Sequence, residues 1–344
     1  MFHRLFRSLA RRFRLRMLIV LGVAVIGCTF LPPPTAMAAG FDCAKAASSI
    51  EQTICASPEL SKLDDEHGQK LSDALAASLD PQTVRTDEAE WLRGTRQHAA
   101  DNGGLTKVYT DRLQALDDLI GQQPSEAAHT FTLAAAKASC LPLLAVKDAV
   151  ETCTAEALNQ LGAVDGRTFY YGRYHYVPSE EVLQYVRIVV FEQLASGALY
   201  VVLAPQSDPA FEYDAPKIIR AKAHTLLEIP ALDDGSGFFN RESLFNWHDG
   251  HWNDVDVTSW LDDLNRRLPK GLGAIRGIYP DYRTMRAYTP IWKVADDSNA
   301  CATAGGAELS LQWQGDRVAL KDIHRQKAGA CGEPPASIDW HPFR

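Results

Sequence analysis

The strongest candidate for chemistry in this 344-residue sequence is the stretch NWHDGHWNDVDV at residues 246–257. It gathers two imidazoles and three carboxylates, His248, Asp249, His251, Asp254 and Asp256. Both groups are metal ligands, so a metal centre is one interpretation. The competing interpretation is a β-hairpin, because Asp-Gly at 249–250 is typical of a type I′ turn. The hairpin sets His248 across from His251 and packs Trp247 against Trp252 on the opposite face. We favour the hairpin and predict no metal site.

Other chemical patterns are weaker. DVDVTSWLDD, from residue 254, has the acidic spacing of a calcium loop but lacks its glycine and closing glutamate. Glu180 and Glu181 are adjacent, so in a strand they point apart and make a poor catalytic pair. The remaining histidines considered are isolated: His224, His324 and His341. No G-x-S-x-G, H-E-x-x-H, P-loop or G-x-G-x-x-G motif occurs. The sequence therefore predicts no catalytic residue, no cofactor and no enzyme.

The N-terminus has the pattern of an export signal. Residues 1–16 carry six arginines and no acid, and an apolar run follows at residues 17–31. That run is shorter than the roughly 20 residues that span a bilayer. Ala36-Met37-Ala38 then supplies a small-x-small cleavage site. We predict a signal peptide over residues 1–38, cleavage after Ala38, and a periplasmic or secreted mature protein.

A second interpretation of this segment is a lipid anchor. VIGC, Val25 to Cys28, has the form of a loose lipobox, which would make Cys28 a lipid-bearing N-terminus. The bulky Phe30-Leu31 after it argues against this, and the Ala-Met-Ala site is better placed. An envelope lipoprotein therefore stays the alternative to a freely exported protein.

The mature chain is strongly acidic. Removing residues 1–38 takes away six arginines and no acid, which leaves 306 residues with 29 basic and 43 acidic side chains, a formal charge of −14. This charge disfavours nucleic acid as a partner, because phosphate binding needs basic patches. It favours encounter with a cationic protein.

Cysteine usage agrees with export. Six cysteines remain after cleavage and fall into three local pairs: Cys43, Cys55, Cys140, Cys153, Cys301 and Cys331. An even count in an exported chain predicts disulfides rather than metal ligands. No C-x-x-C occurs, which removes the commonest zinc and redox spacings.

The elements change type along the chain. Residues 39–122 are predicted to be helical, with caps at Ser57-Pro58 and Asp80-Pro81 and a break at DNGG, residues 101–104. On the second helix, leucines form the apolar stripe, and the acids are expected to face elsewhere: Asp64, Asp65, Glu66 and Asp73. Residues 123–165 are alanine-rich and are predicted to be a helical linker region.

Residues 166–344 are predicted to be mostly β. Runs such as RTFYYGRYHYV, YVRIVVFEQL and GALYVVLAP alternate with Gly, Asp and Pro turns, which is typical of antiparallel strands. LFNWHDGHW and LQWQGDRV each predict a hairpin, and VTSWLDDLNRRL predicts an embedded helix. The expected fold class is α+β: a small disulfide-stapled helical domain, then a mostly antiparallel β domain.

The spacing of the first two cysteines constrains the start of the helical domain. In one continuous helix, Cys43 and Cys55 would stand about 18 Å apart at 1.5 Å per residue. A disulfide needs Cα atoms within roughly 7 Å. If the two pair, Cys43 must precede the helix, which then starts near Ser48 or Ser49.

Residues 41–119 resemble the N-terminal domain of the LprI-type lysozyme inhibitor family. The resemblance rests on FDCAKA, IEQTICASPELSKLD, EWLRGTR and VYTDRLQAL, in that order. It implies an exported envelope protein, and a lysozyme-type muramidase as the partner to be bound and inhibited. These residues hold 15 acids against 8 bases, which could steer a cationic enzyme into encounter. The alternative is that the acids are solvated helix faces, with a binding or scaffold role set by the β domain.

One departure from the family concerns a second cysteine pair. The family commonly has one cysteine after the arginine and one before the closing helix. Those places fall here near Ala99 and Gly104, and both lack sulfur. The resemblance therefore implies a looser hairpin around DNGG in this chain.

A fainter resemblance covers residues 277–313. This stretch is similar to a module of uncharacterised bacterial envelope proteins, in which Asp-x-Asn-Cys precedes Thr-Gly-Gly. Here Ala304-Gly305-Gly306 is predicted to be a turn between strands, held by pairing of Cys301 with Cys331. No activity follows from this resemblance.

Overall fold

The structure is a computed structural model of the whole chain. It describes residues 41, 43–99, 101–122, 126–138, 140–141, 150–178, 185–205, 211–233, 242–274, 278–296 and 301–326. The predicted signal peptide, with Cys28 and Ala38, lies outside the described residues.

Six α-helices occur in the described residues, four of them before residue 122. They are α1 (Ser49–Ala56), α2 (Pro58–Ala77), α3 (Pro81–Gly94), α4 (Asn102–Gly121), α5 (Leu133–Ala138) and α6 (Ser259–Arg267). Short 3-10 turns stand at Cys43–Lys45, Arg96–His98, Glu126–His129 and Val294–Asp296. We call residues 43–122 the helical unit and residues 130–326 the β region.

The strands of the β region pair antiparallel in five sheets. They are β1 (Thr130–Phe131), β2 (Val150–Val164), β3 (Arg167–Pro178), β4 (Tyr185–Gln193), β5 (Leu199–Leu203), β6 (Phe211–Tyr213), β7 (Lys217–Ala221), β8 (His224–Ile229), β9 (Ala231–Asp233), β10 (Ser243–His248), β11 (His251–Val255), β12 (Leu272–Gly273), β13 (Tyr279–Asp281), β14 (Arg286–Pro290), β15 (Trp292–Lys293), β16 (Gly306–Gln314) and β17 (Arg317–Gln326). The three larger sheets have the orders β1-β5-β4-β3-β2, β11-β10-β8-β7 and β13-β14-β16-β17. Two small sheets pair β12 with β15 and β6 with β9.

The middle sheet has a hydrophobic core on each face. Leu226 on β8 packs in the core shared with α6 and the third sheet, whereas Leu227 packs in the core shared with the first sheet. Adjacent residues of a strand point to opposite faces, so the alternation builds both cores from one sheet. The first sheet repeats the pattern: Val190 faces the middle sheet, and Val189 packs beneath α5 with Ala136. The β region is therefore layered.

The predicted entry into the helical unit is confirmed. Cys43 and Cys55 form a disulfide with Cα atoms 5.8 Å apart, and Cys43 lies in a 3-10 turn ahead of α1. Ser48 caps α1 in a capping box with Glu51. The hydrogen bonds from Ser48 and Ala47 to the Glu51 carboxylate lower its pKa. The caps at Ser57-Pro58 and Asp80-Pro81 are also present.

One element prediction is wrong. Residues 123–165 were expected to be a helical linker region. Among the described residues of this stretch, the α-helix is confined to Leu133–Ala138, and Val150–Val164 is a long strand. Alanine-rich sequence favours a helix in isolation. Here the strand pairs with β3 along its length, three bulges absorb the mismatch, and small residues lie opposite large ones, as at Ala155 and Tyr174. Tertiary pairing therefore overrides the local preference.

The fold class is α+β, as predicted. A stapled helical unit comes first, and mostly antiparallel sheets follow. VTSWLDDLNRRL contains α6, and LQWQGDRV is the β16–β17 hairpin. In the described part of the chain, no helix combines the length and apolarity that crossing a bilayer requires.

Replacing Cys43 and Cys55 together by alanine should lower the free energy of unfolding of the helical unit by about 3 kcal/mol, because the staple closes a loop with a sequence separation of 12. Urea unfolding, with hydrogen exchange of the α1 amides as the local reporter, measures this change. Replacing Cys140 and Cys153 is the matched control and should leave α1 exchange unchanged. Equal α1 protection in both variants would contradict a stabilising role for the first staple.

Candidate interaction site

The predicted hairpin at residues 246–257 forms as a hairpin. His248 pairs with His251 across the turn, and Trp247 pairs with Trp252. Asp249 and Gly250 have φ of 53° and 80°, as a type I′ turn requires. The two tryptophan rings meet at 5.0 Å and both contact Phe169 on β3. The tryptophans therefore hold two sheets together.

Asp254 and Asp256 of this stretch bind different partners. Asp254 accepts a hydrogen bond from Arg85 Nε of the helical unit. Asp256 accepts the backbone N–H groups of Thr258 and Ser259, at 2.8 and 2.9 Å, at the start of α6. These bonds lower the pKa of Asp256 against the opposing effect of burial. Within the described ranges, no group of three or more His, Cys, Asp or Glu side chains is arranged to hold a metal ion.

The other sequence candidates are dispersed. His224 stacks on Trp313 at 4.2 Å, and His324 lies 3.0 Å from Asp322. Cys140 and Cys153 form a disulfide with Cα atoms 5.8 Å apart. Cys301 is disulfide-bonded. The remaining candidates lie outside the described residues: Glu180, Glu181, Cys331 and His341.

Helix α3 docks the helical unit on the β region. Arg85 donates hydrogen bonds to the side-chain carboxylate and to the backbone carbonyl of Asp254. Its Nη2 also lies 3.3 Å from the carboxylate of Asp316. Ser243 Oγ donates to Gln82 Oε1 at 2.6 Å. Beside these contacts lies a cleft of about 220 Å³, lined by α3 and by residues 242–244 and 254–258. One face of α3 is thus turned toward the β region.

A buried polar cluster joins three elements of the helical unit. Asp64 on α2 was predicted to face away from the apolar stripe, but it is 4% exposed, so that prediction is wrong. It accepts the hydroxyl of Tyr109 on α4, and Arg96 Nη1 lies 3.6 Å away. Burial and the neighbouring Asp64 raise the pKa of Tyr109, so the hydroxyl stays protonated and donates. Asp64 can be buried because two other elements supply its carboxylate with a hydrogen bond and an opposite charge.

A second buried cluster lies beside the first. Glu88 on α3 is 6% exposed and sits 3.2 Å from His67 Nε2 on α2. Arg112 on α4 donates two hydrogen bonds to the same carboxylate, at 3.1 and 2.9 Å. Trp91 covers both partners of Glu88, with its ring 4.9 Å from that of His67 and 5.7 Å from the Arg112 guanidinium. The two clusters tie α2, α3 and α4 together.

Five of the residues that carry the family resemblance lie in these clusters: Asp64, Trp91, Arg96, Tyr109 and Arg112. Two others have structural roles outside them, since Glu51 caps α1 and Cys55 closes the staple. All five cluster residues belong to the stretches on which the resemblance rests. Their partners His67 and Glu88 were missed. The available signal was the spacing of His67 three residues after Asp64, which places both on one helix face.

The clusters position the connection between α3 and α4, which we call the tip loop and define as residues 94–99 and 101–104. Arg96 anchors its first half to Asp64, and Ala99 packs on the core beneath. Asp101 closes its second half by accepting the N–H of Gly104 at 2.8 Å. Helix α4 begins at Asn102, within the stretch DNGG at residues 101–104 that was predicted to break the helix. The tip loop is an exposed segment on a buried support, and it is our candidate interaction site.

The tip loop also brings together the two positions at which the family commonly has cysteines. A Cβ built on Gly104 would lie 4.0 Å from the Cβ of Ala99. Disulfides have Cβ atoms 3.5–4.5 Å apart, so this is a bonding distance. The two residues therefore occupy the places of a disulfide without its sulfur atoms.

Glu88→Gln should lower the free energy of unfolding by about 3 kcal/mol at pH 7, because a buried ion pair loses one partner. Burial alone raises the pKa of Glu88, but His67 and Arg112 outweigh it and hold the pKa below the ordinary 4.5. A depressed pKa stabilises the fold above pH 4.5, and this contribution is lost as the pH falls through the lower folded-state pKa. The wild type should therefore lose stability between about pH 5 and 3 more steeply than the variant.

Urea unfolding at pH 7, 5, 4 and 3 measures this difference. Glu90→Gln, an exposed acid on the same helix, is the control and should behave like the wild type. Parallel pH profiles for Glu88→Gln and the wild type would contradict the ionised, paired state of Glu88.

The pair Ala99→Cys and Gly104→Cys should form a disulfide without rearrangement and raise the free energy of unfolding by about 2 kcal/mol, as expected for closing so short a loop. Thiol titration of the denatured protein reports bond formation, and unfolding with and without reductant reports the gain. Ala99→Ser with Gly104→Ser is the matched control. Free thiols at both positions under oxidising conditions would contradict the geometry.

Comparison of the chain with protein-family models and with curated proteins finds no match. The resemblance of residues 41–119 to the LprI-type family therefore stays a prediction carried by the residues named above.

Proposed function

We propose that this is an exported, non-catalytic envelope protein that binds and inhibits a lysozyme-type muramidase through its helical unit. Two disulfides among the described residues support an oxidising compartment. The motif residues support the proposal indirectly. Those in the buried clusters contact one another inside the helical unit and make it a rigid scaffold, whose outer surface is available for a partner.

The observation that carries the proposal is the charge of that outer surface. Among the described residues of the helical unit, ten acids are exposed: Glu59, Asp65, Glu66, Asp73, Asp87, Glu90, Asp101, Asp111, Asp117 and Asp118. Four basic side chains are exposed: Lys45, Lys62, Arg93 and Lys107. Many muramidases of the lysozyme type are cationic, so a surface with this excess of acids accelerates encounter with them.

Docking of α3 limits which surface can meet the enzyme. The face of α3 that carries Gln82 and Arg85 is committed to Ser243, Asp254 and Asp316 of the β region. The surface offered to a partner therefore comprises α2, α4, the tip loop and the outward face of α3, which carries Asp87 and Glu90. In this arrangement the β region serves as a mount for the helical unit.

The second candidate is a non-inhibitory periplasmic binding or scaffold protein whose partner is set by the β region. The docking of α3 on the β region favours this second candidate, because a stabilising or docking module would also be held against the β region. The two candidates differ in what the purified protein does to a muramidase.

Mature protein, residues 39–344, should inhibit a cationic animal lysozyme in a turbidity assay of cell-wall lysis. Neutralising three exposed acids together, Asp65→Asn, Glu66→Gln and Asp118→Asn, should lower the association rate at low salt by about 3- to 10-fold. The difference should shrink as salt rises, because exposed charges are screened. Surface plasmon resonance at 20 and 300 mM salt provides the measurement.

The matched control neutralises three exposed acids of the β region, Asp249→Asn, Asp262→Asn and Asp322→Asn. It should leave the association rate near that of the wild type. If the wild-type protein did not inhibit lysozyme when the two proteins are mixed at comparable concentrations, the result would favour the scaffold role. If both triple variants lowered the association rate equally, the helical unit would not be the interface.

A further inference from the structure

The cleft beside the docking contacts runs along one face of α3. Its volume is about 220 Å³, and its α3 wall is formed by Gln82, Arg85, Thr86, Ala89 and Arg93. These positions recur every three or four residues, so they follow one face of the helix, which rises about 16 Å between the first and the last of them. A cleft between two packed units is a common position for a small-molecule site.

The charged residues of the cleft separate by wall. The α3 wall carries two cations, Arg85 and Arg93, and no acid. Among its described residues, the opposite wall carries three carboxylates and no base: Glu242, Asp254 and Asp256. A molecule held between the two walls therefore meets positive charge on one side and negative charge on the other.

One end of the cleft is closed by contacts across it. Arg85 binds Asp254 there, and Ser243 donates to Gln82. Arg93 lies eight residues beyond Arg85, about 12 Å further along the helix axis. Its side chain is exposed and makes no hydrogen bond or ion pair within the described part of the chain. Arg93 therefore lines the same cleft as the three carboxylates without being paired with any of them.

Asp254 keeps one carboxylate oxygen for a further donor. Arg85 Nε donates to Oδ2, whereas Oδ1 accepts no hydrogen bond from the described residues and is not fully buried. Burial raises the pKa of Asp254 against the opposing charge of Arg85, and the neighbouring Asp256 adds to the rise. A second cation at Oδ1 would stabilise the ionised carboxylate.

We propose that the cleft binds a dipeptide-sized zwitterion, with its carboxylate on Arg93 and its ammonium on Asp254 Oδ1. Two residues of extended chain span about 7 Å, and a hydrogen bond adds about 3 Å at each end. This total is on the scale of the roughly 12 Å of helix between Arg93 and Arg85, which holds Asp254. The ligand contacts both units, so its binding strengthens the docking of α3. This inference does not depend on inhibition of a muramidase.

Binding of alanyl-alanine to the mature protein, residues 39–344, tests the proposal. Calorimetry should detect binding of the L,L or the D,D peptide at concentrations up to about 10 mM. The peptide amide lacks the carboxylate, and the N-acetyl peptide lacks the ammonium. Each analogue should bind about tenfold more weakly or worse, because each loses one charge-assisted hydrogen bond. Amide shifts in nuclear magnetic resonance spectra should map to α3 and to residues 254–258.

Arg93→Gln tests the carboxylate contact. This variant should bind the free peptide about tenfold more weakly and the peptide amide within about twofold of the wild type, so that its preference for the free carboxylate disappears. Lys62→Gln, at an exposed base on α2, is the matched control and should bind both ligands as the wild type does. Thermal unfolding of both variants checks that the fold is retained.

Four outcomes would overturn the proposal. They are absence of binding by both stereoisomers, equal binding of either blocked analogue to the wild type, amide shifts that map away from the cleft, and an unchanged preference for the free carboxylate in Arg93→Gln. Inhibition of lysozyme is measured separately. A wild-type protein that binds the peptide as described and does not inhibit lysozyme would retain this proposal and lose the proposed function.

Discussion

The helical unit depends on the burial of two carboxylates, Asp64 and Glu88. A buried charge is stable only when it is paired and hydrogen-bonded, and neither acid can find its partners on its own helix. Asp64 takes them from α4 and from the turn after α3, whereas Glu88 takes them from α2 and α4. These requirements fix how the three helices pack more specifically than apolar contacts alone. They also fix the path of the chain between α3 and α4, since Arg96 must stay within reach of Asp64.

This arrangement explains what the sequence resemblance does and does not report. Its anchors are a staple, a cap and the members of two buried clusters, so they specify a scaffold. A partner would meet the side chains that the scaffold holds outward, and the five motif residues of the buried clusters are not among them. Proteins that share the motif can therefore share the scaffold while presenting different residues at the tip. Function in this chain has to be argued from the charge and geometry of the exposed surface.

The features that were predictable from sequence are those set by short-range chemistry. The caps at Ser57 and Asp80, the turn at Asp249-Gly250 and the position of Cys43 ahead of α1 each depend on a few adjacent residues. Strand β2 was missed because its alanine-rich sequence favours a helix, and only its pairing with β3 makes it a strand. The burial of Asp64 was missed for the same kind of reason, because its partners come from residues 32 and 45 positions away. Apolar periodicity treats every acid as an outward residue and cannot anticipate such a pair.

The contact between α3 and the β region fixes the orientation of the helical unit. Arg85 is only partly exposed and Asp254 is buried, and burial raises the pKa of Asp254 against the opposing charge of Arg85. Such a pair contributes specificity of orientation more than stability, because desolvation offsets much of its attraction. An oriented mount is what the docking module of the scaffold candidate would need. It is useful to a unit that must present one particular end, and here the end held away from the Gln82 and Arg85 contacts is the end at which α3 passes into the tip loop.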